Sequence, residues 1–171
     1  MVRQLTEGKW DVTTFHGYDS NTEQVYYTAA RPDPKQRQLF SMDIEGKKEN
    51  RLTSKAGWHR IDMSNDFEYY IDNHSDTGQP PVYTVYNRSG EQQNVMENNE
   101  ELSKRLREME LPEKSFFSMT VHDSVKLNGY RITPPDFDST RQMYPALVYV
   151  YGGPGSQTVT RNFEYGQRAK W

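Results

Sequence analysis

Leu5-Thr6-Glu7-Gly8-Lys9-Trp10 is echoed further along the chain by Leu52-Thr53-Ser54-Lys55-Ala56-Gly57-Trp58, and this echo decides the fold of the first half. After each Trp comes a short alternating segment, Asp11 to Phe15 and then Arg60 to Met63. A Tyr-rich strand follows, Val25-Tyr26-Tyr27-Thr28-Ala29 answered by Tyr69-Tyr70-Ile71-Asp72. A third strand follows in turn, Gln38-Leu39-Phe40-Ser41-Met42 answered by Val82-Tyr83-Thr84-Val85-Tyr86. Trp10 and Trp58 stand 48 positions apart, and the later strands recur at 43. A period of about 40–50 residues, with about four short strands per unit, is the signature of propeller blades. Turn residues punctuate it at Gly17-Tyr18-Asp19-Ser20-Asn21, Arg31-Pro32-Asp33-Pro34, Glu45-Gly46, Ser64-Asn65-Asp66 and Gly78-Gln79-Pro80-Pro81. A plain antiparallel meander is the simpler alternative; the joint recurrence of Leu-Thr, Gly-Trp and Tyr-Tyr favours blades. About two blades cannot close a ring of roughly four to eight. The expectation is therefore the tail of a longer array whose other blades lie upstream of Met1.

After Tyr86 the repeat is expected to stop. Asn87-Arg88-Ser89-Gly90-Glu91 is a turn, and Glu97 to Glu110 reads as a helix capped by Asn98 or Asn99, with Glu100 and Glu101 in its first turn. Leu102, Leu106 and Met109 form its apolar stripe, expected to pack on the propeller. From Ser115 the pattern changes. Ser115 to Val121 and Val125 to Ile132 alternate like strands around an Asp123-Ser124 turn, and a loop follows over Thr133 to Asp138. Tyr144-Pro145-Ala146-Leu147-Val148-Tyr149-Val150-Tyr151 is then continuously apolar, as in a strand of a parallel α/β sheet buried on both faces. Gly166 to Trp171 reads as the opening of a helix. The predicted fold is mainly β: residues 1–113 are the last blades of a β-propeller plus an exit helix, and residues 114–171 are the first strands of an α/β domain.

Composition sets outer limits. Among the 171 residues, 33% are hydrophobic, 26% charged and 13% aromatic, with 12 Tyr, and the net charge is −3. A Tyr-rich chain suits strands better than helix bundles. No Lys/Arg cluster marks a nucleic-acid footprint. There is no Cys, which removes disulfides, thiolate zinc sites and Cys nucleophiles. Met1 to Trp10 has no apolar core of a signal peptide, and no run of about 18 apolar residues could span a membrane.

The segment that carries chemistry is Tyr151-Gly152-Gly153-Pro154-Gly155-Ser156, directly after the apolar strand. Glycines there let backbone approach a ligand closely. In α/β hydrolases the loop after the third strand supplies an oxyanion-hole donor. A structural turn is the plainer reading of such a loop. It lacks the Gly-Lys-Ser/Thr ending of a phosphate-binding loop. Ser156 lies in Gly-Pro-Gly-Ser-Gln, which is not a Gly-x-Ser-x-Gly nucleophile elbow, and no other Ser fits one. His16, His59, His74 and His122 show no metal-ligand spacing, so no metal and no cofactor is expected. His59 and His74 fall in blade strands or turns and read as structural. His122-Asp123-Ser124 cannot act as a triad, because adjacent side chains diverge along a strand.

These residues together resemble the dipeptidyl peptidase IV branch of the prolyl oligopeptidase superfamily of serine peptidases. Leu5-Thr6, Gly8 and Trp10-Asp11-Val12 are similar to the opening of the family's penultimate blade. Gly57-Trp58-His59-Arg60 and Tyr69-Tyr70-Ile71-Asp72 are similar to its final blade. Met96-Glu97-Asn98-Asn99-Glu100-Glu101-Leu102 resembles the segment leaving the propeller, and Tyr144 to Gln157 is the most specific match. The resemblance implies an N-terminal propeller and a C-terminal α/β-hydrolase domain. It implies a peptide substrate, from which a dipeptide ending in Pro or Ala is released. It assigns the Tyr151 hydroxyl to the oxyanion, with Gly152 and Gly153 as loop backbone. It also implies that the nucleophilic Ser, the Asp and the His lie beyond Trp171, and that the acidic pair gripping the substrate amine lies before Met1. On that reading the isolated chain is inactive, and the parent protein is exported to the periplasm or cell surface.

Two alternatives stand beside it. The chain could be a propeller-derived binding module, or a homologue without catalysis, presenting aromatics such as Tyr18, Tyr83 and Tyr86. It could also belong to an acylaminoacyl peptidase or oligopeptidase of the same architecture; Trp10-Asp11-Val12 and the Tyr-Gly-Gly-Pro-Gly-Ser-Gln string favour the dipeptidyl branch. Unpaired blade edges lead to an expectation of self-association.

Overall fold

Val25, Tyr27 and Ala29 alternate with Tyr26 and Thr28 along one strand, so successive side chains enter opposite faces of a sheet. Both faces are buried, and that double burial organises the first unit of the chain. The computed structural model describes residues 3–109, 111–140, 143–150, 152–153 and 155–163. The chain divides into two compact units, residues 1–100 with 161–164, and residues 101–160 with 165–171.

The first unit holds two four-stranded antiparallel meanders. One runs β1 (Val12–Asp19), β2 (Gln24–Ala29), β3 (Gln38–Asp43) and β4 (Glu49–Arg51); the other runs β5 (Trp58–Met63), β6 (Tyr69–Asp76), β7 (Gln79–Asn87) and β8 (Gln92–Glu97). Each strand pairs with its neighbour in sequence, and neither sheet closes on itself. On one face of the first sheet, Val25, Tyr27, Ala29, Phe40 and Met42 form an apolar core, covered by Leu5 and Trp10. Trp10, Tyr27 and Phe40 stack in sequence, with ring centroids 6.5 and 5.6 Å apart. The Arg31 guanidinium lies over Trp10 at 4.4 Å and over Phe40 at 3.8 Å. Glu49 of β4 accepts from the Tyr27 hydroxyl and pairs with Arg31. Burial, then the Glu49 carboxylate, pushes the Tyr27 phenol well above the ordinary tyrosine range.

The opposite face joins the two sheets. Tyr26 stacks at 5.5 Å on Phe67, from the turn between β5 and β6. The same Phe67 ring covers Gly17, where a Cβ would come within 2.6 Å of it. The Tyr70 hydroxyl donates to the Leu52 carbonyl at 3.3 Å. Arg88 reaches from the β7–β8 turn to Asp19 at 3.5 Å and also pairs with Glu68.

The second unit holds helix α1 (Glu100–Glu108, whose first residue closes the first unit) and a hairpin of β9 (Glu113–Thr120) and β10 (Lys126–Thr133). A short 3-10 turn, His122–Ser124, joins the two strands. The hairpin is in unbroken register from Glu113 opposite Thr133 to Thr120 opposite Lys126. The Lys114 ammonium lies 4.4 Å over the Tyr130 ring and donates to the Thr160 carbonyl at 3.1 Å.

Five expectations are corrected. The repeat does not stop at Tyr86: β8 completes the second sheet, and its uniformly exposed Gln92-Gln93-Asn94-Val95-Met96-Glu97 leaves no alternation to read. The helix is shorter than Glu97–Glu110, because Glu97 belongs to β8; Asn98 then accepts from the Glu100 amide at 3.0 Å. Its apolar stripe is not buried, and Leu102 and Met109 are exposed. The turn expected over Gly78–Pro81 ends sooner, since β7 begins at Gln79 with Pro80 buried in it. The apolar run from Tyr144 is not a buried strand: Leu147, Val148 and Val150 are 72%, 80% and 82% exposed. A central strand exists through ladder bonds to flanking strands, and among the described residues none lies beside this run. The helix read over Gly166–Trp171 lies outside the described residues.

Candidate functional site

The loop singled out by sequence is only partly described. Tyr151 and Pro154 lie outside the described residues. Gly152 is exposed, and a Cβ there would meet nothing within 4 Å. Gly153 is half-buried, and its carbonyl accepts from the Ser156 amide at 3.4 Å. Ser156 itself is exposed.

The polar groups that the structure does gather lie along residues 52–57, which connect the two sheets. Thr53 and Gly57 of this connection are buried while Ser54, Lys55 and Ala56 are exposed, and buried side chains from the neighbouring strands supply its backbone with partners. Gln38 Nε2 donates to the Lys55 carbonyl at 2.9 Å, and Gln38 Oε1 accepts from the Thr53 hydroxyl at 2.7 Å. Gln36 Oε1 accepts from the Gly57 amide at 3.3 Å. The His74 ring bonds to the Ala56 carbonyl through Nε2 at 2.8 Å, and the His59 ring to the Lys55 carbonyl through Nε2 at 3.0 Å. His59 Nδ1 faces Asp72 Oδ2 at 2.7 Å, with the two side chains 2% and 4% exposed. Both His59 nitrogens thus lie within hydrogen-bond distance of an oxygen. His59 and His74 are cross-strand partners with ring centroids 4.5 Å apart. Burial lowers the His74 pKa. Asp72 Oδ1 is buried without a hydrogen-bond partner.

This Asp–His pair is not hydrolytic machinery. A triad needs a hydroxyl on the far imidazole nitrogen, and here that nitrogen holds a backbone carbonyl. His59 and His74 are structural, as their place in the strands implied. His16 bonds to the Thr28 hydroxyl at 2.7 Å, and burial lowers its pKa. Among the described residues, no group of three or more His, Cys, Asp or Glu side chains is arranged to hold a metal ion. Among the described residues, no helix is long and apolar enough to cross a membrane.

A second gathering involves residues that sequence reasoning passed over. Arg161, five positions past Ser156, donates from Nε to Asp76 Oδ1 at 3.0 Å, while a terminal guanidinium nitrogen reaches Oδ2. Its amide donates to the Lys35 carbonyl at 2.8 Å. The Ser75 hydroxyl donates to Asn162 Oδ1 at 2.9 Å and accepts from the Phe163 amide at 3.4 Å. Residues 161–163 thus fasten to both sheets at one rim. No motif marks this, because the partners are 85 or more positions away in sequence. Of the aromatics named as a binding surface, Tyr86 stacks on Tyr70 at 5.3 Å, whereas Tyr18 and Tyr83 are exposed.

Two successive four-stranded meanders, in contact through Tyr26 and Phe67 and joined by a short connection, have the arrangement of consecutive blades in a β-propeller. Comparison with known proteins agrees. Residues 1–81 match the model of the dipeptidyl peptidase IV (DPP IV) N-terminal region. The chain is 33% identical over 165 residues to the protein named probable dipeptidyl-aminopeptidase B of Talaromyces marneffei, covering 93% of this chain and 18% of that protein. It is 32% identical to the protein of the same name from Penicillium rubens, again with 93% and 18% covered. The crystal structure of Porphyromonas gingivalis dipeptidyl peptidase 4 superposes with a TM-score of 0.88 at 30% identity, over 96% of this chain and 23% of that one. The chain belongs to the dipeptidyl peptidase IV branch of the prolyl oligopeptidase superfamily. It spans 18% of the length of the curated relatives it matches.

Proposed function

We propose that this chain is the junction segment of a serine dipeptidyl peptidase. Residues 1–113 are the last blades of its propeller, and residues 114–171 are the opening of its α/β-hydrolase domain. The whole protein releases N-terminal dipeptides ending in Pro or Ala. A Ser nucleophile activated by a His base attacks the scissile carbonyl, and the resulting acyl-enzyme is then hydrolysed. Tyr151 donates its hydroxyl to the oxyanion, and Gly152 and Gly153 let the backbone approach. The Ser, Asp and His lie outside the chain, so the chain alone is inactive, and its exposed strand edges lead it to self-associate. The observation that carries this reading is the likeness to the Porphyromonas gingivalis enzyme over 96% of the chain. The string Tyr151-Gly152-Gly153-Pro154-Gly155-Ser156-Gln157 supports it.

The test is hydrolysis of Gly-Pro and Ala-Pro p-nitroanilides by the full-length protein and by this chain. The full-length protein turns over and the chain does not. Tyr151→Phe in the full-length protein lowers kcat on the order of 100-fold to 1000-fold, the effect of losing one oxyanion donor. Turnover by the chain alone overturns the assignment of the nucleophile. Silence in both leaves the propeller as a binding module.

A further inference from the structure

Three consecutive residues past the glycine loop are held to the blade unit by side chain and backbone together. The Arg161 guanidinium meets Asp76 with two nitrogens, Nε on Oδ1 at 3.0 Å and a terminal nitrogen on Oδ2. Asp76 is set by its own turn, where Oδ1 also accepts from the Thr77 amide at 2.7 Å. The paired side chains are 32% and 19% exposed, so water and salt screen them less than a surface pair. Asp33 is a second negative charge that bears on Arg161. Its Oδ1 accepts from the Lys35 amide at 2.9 Å, which holds the turn that offers the Lys35 carbonyl to the Arg161 amide. Buried Ser75 binds both Asn162 and Phe163. Residues 161–163 and all these partners belong to the blade unit. Before them, Gly152, Gly155, Ser156 and Gln157 are exposed. An exposed, glycine-rich stretch has much backbone freedom to lose, and fixing its end removes part of that freedom.

We propose that Arg161 and Asp76 are positioning residues, whose clasp fixes the end of the loop that opens at Tyr151 and so limits where the loop can carry its oxyanion donor. The inference rests on the oxyanion role proposed for Tyr151. An oxyanion donor works by standing in place before the charge develops. A displacement of about 1 Å can cost on the order of 100-fold in rate, even when its cause lies far from the chemistry. Neither Arg161 nor Asp76 is assigned any contact with the substrate; they act through the chain that joins them to the loop.

Kinetics of the full-length protein on Gly-Pro p-nitroanilide test the clasp. Asp76→Asn keeps the side-chain shape and removes the charge; kcat falls about 10-fold to 100-fold while KM stays within about twofold. Arg161→Gln gives the same loss, and the double variant loses no more than either alone, because the two act as one pair. In a Tyr151→Phe background the Asp76→Asn loss shrinks below about twofold, since the hydroxyl being positioned is gone. Equal loss in both backgrounds marks a merely structural pair and overturns the proposal, as does kcat retained by either single variant. Failure of the peptidase reading looks different: the wild type itself is silent, and a spin label then decides whether the clasp holds the loop. The chain has no Cys, so Ser156→Cys carries a single nitroxide. Asp76→Asn speeds the motion of that label in this chain and leaves unchanged a label at Ser89→Cys, in the exposed turn between β7 and β8. A Ser156→Cys label whose motion does not respond overturns the clasp. Should Asp76→Asn not fold, Arg161→Gln takes its place in both measurements.

Discussion

Gly57 shows how a single position fixes a joint. Its φ of +131° is a conformation that only glycine adopts readily. A methyl group there would meet the Ser75 carbonyl oxygen at 2.4 Å, and that oxygen is backbone and cannot swing away. Gly57→Ala is therefore expected to destabilise the blade unit by about 1–3 kcal/mol, the cost of a strained non-glycine residue. A lowered urea midpoint with an unchanged slope checks this. The Gly57-Trp58 pair was legible as a recurring sequence feature; its steric reason was not, because Ser75 and His74 arrive from the next strand. Asp72 was equally hidden. As the fourth residue of Tyr69-Tyr70-Ile71-Asp72 it reads as a strand end, whereas β6 runs on to Asp76 and buries it.

At the scale of elements, burial separates what could be read from what could not. β2 and β3 announced themselves because aromatic and aliphatic residues fill both faces. β4 and β8 did not, because Glu49-Asn50-Arg51 and Gln92–Glu97 are exposed throughout, and their strand character comes from partners rather than composition. The run from Tyr144 is the converse: its composition is that of a strand and its partners are missing among the described residues. Exposed edges carry unpaired amide and carbonyl groups that invite another chain. β8, which places exposed Val95 and Met96 along such an edge, is the element expected to mediate self-association. Light scattering then shows concentration-dependent dimers that Val95→Lys, a charge on the edge, shifts to monomer. A monomer at all concentrations would sink the idea.

Across the whole molecule, acid acts in two stages. Burial lowers the pKa values of His16 and His74 below the ordinary histidine value of 6.5, so the folded state takes up fewer protons than the unfolded chain. The stability they contribute is complete above pH 6.5 and is lost as pH falls through their depressed values. Three turn aspartates are also depressed below 3.8: Asp19 through its Thr22 hydrogen bond, Asp43 through the Lys47 amide and Asp66 through Ser64. Their contribution is present above that value and disappears as pH falls below it. Thermal melts from pH 8 to pH 2 are expected to show Tm falling first below about 6.5 and again below about 4, with the first step reduced in the His16→Gln, His74→Gln double variant. The blade repeat, and with it the mainly β character, could be read from the sequence because each blade repeats the same few buried residue types. The candidate loop could be read only as a string, since an oxyanion donor acts through groups brought from elsewhere in a fold.

The docking of residues 161–163 on Lys35, Ser75 and Asp76 gives biosynthesis a definite order. The chain leaves the blade unit near Glu100 and re-enters it at Arg161, so everything between is, topologically, an excursion. On a translating ribosome both meanders emerge and pair while their rim still lacks its last strap. The Asp76 carboxylate waits until Arg161 has cleared the exit tunnel. Because loop-closure entropy grows only slowly with loop length, the delay costs little at equilibrium, yet it leaves a nascent-chain interval in which that rim is open to a chaperone.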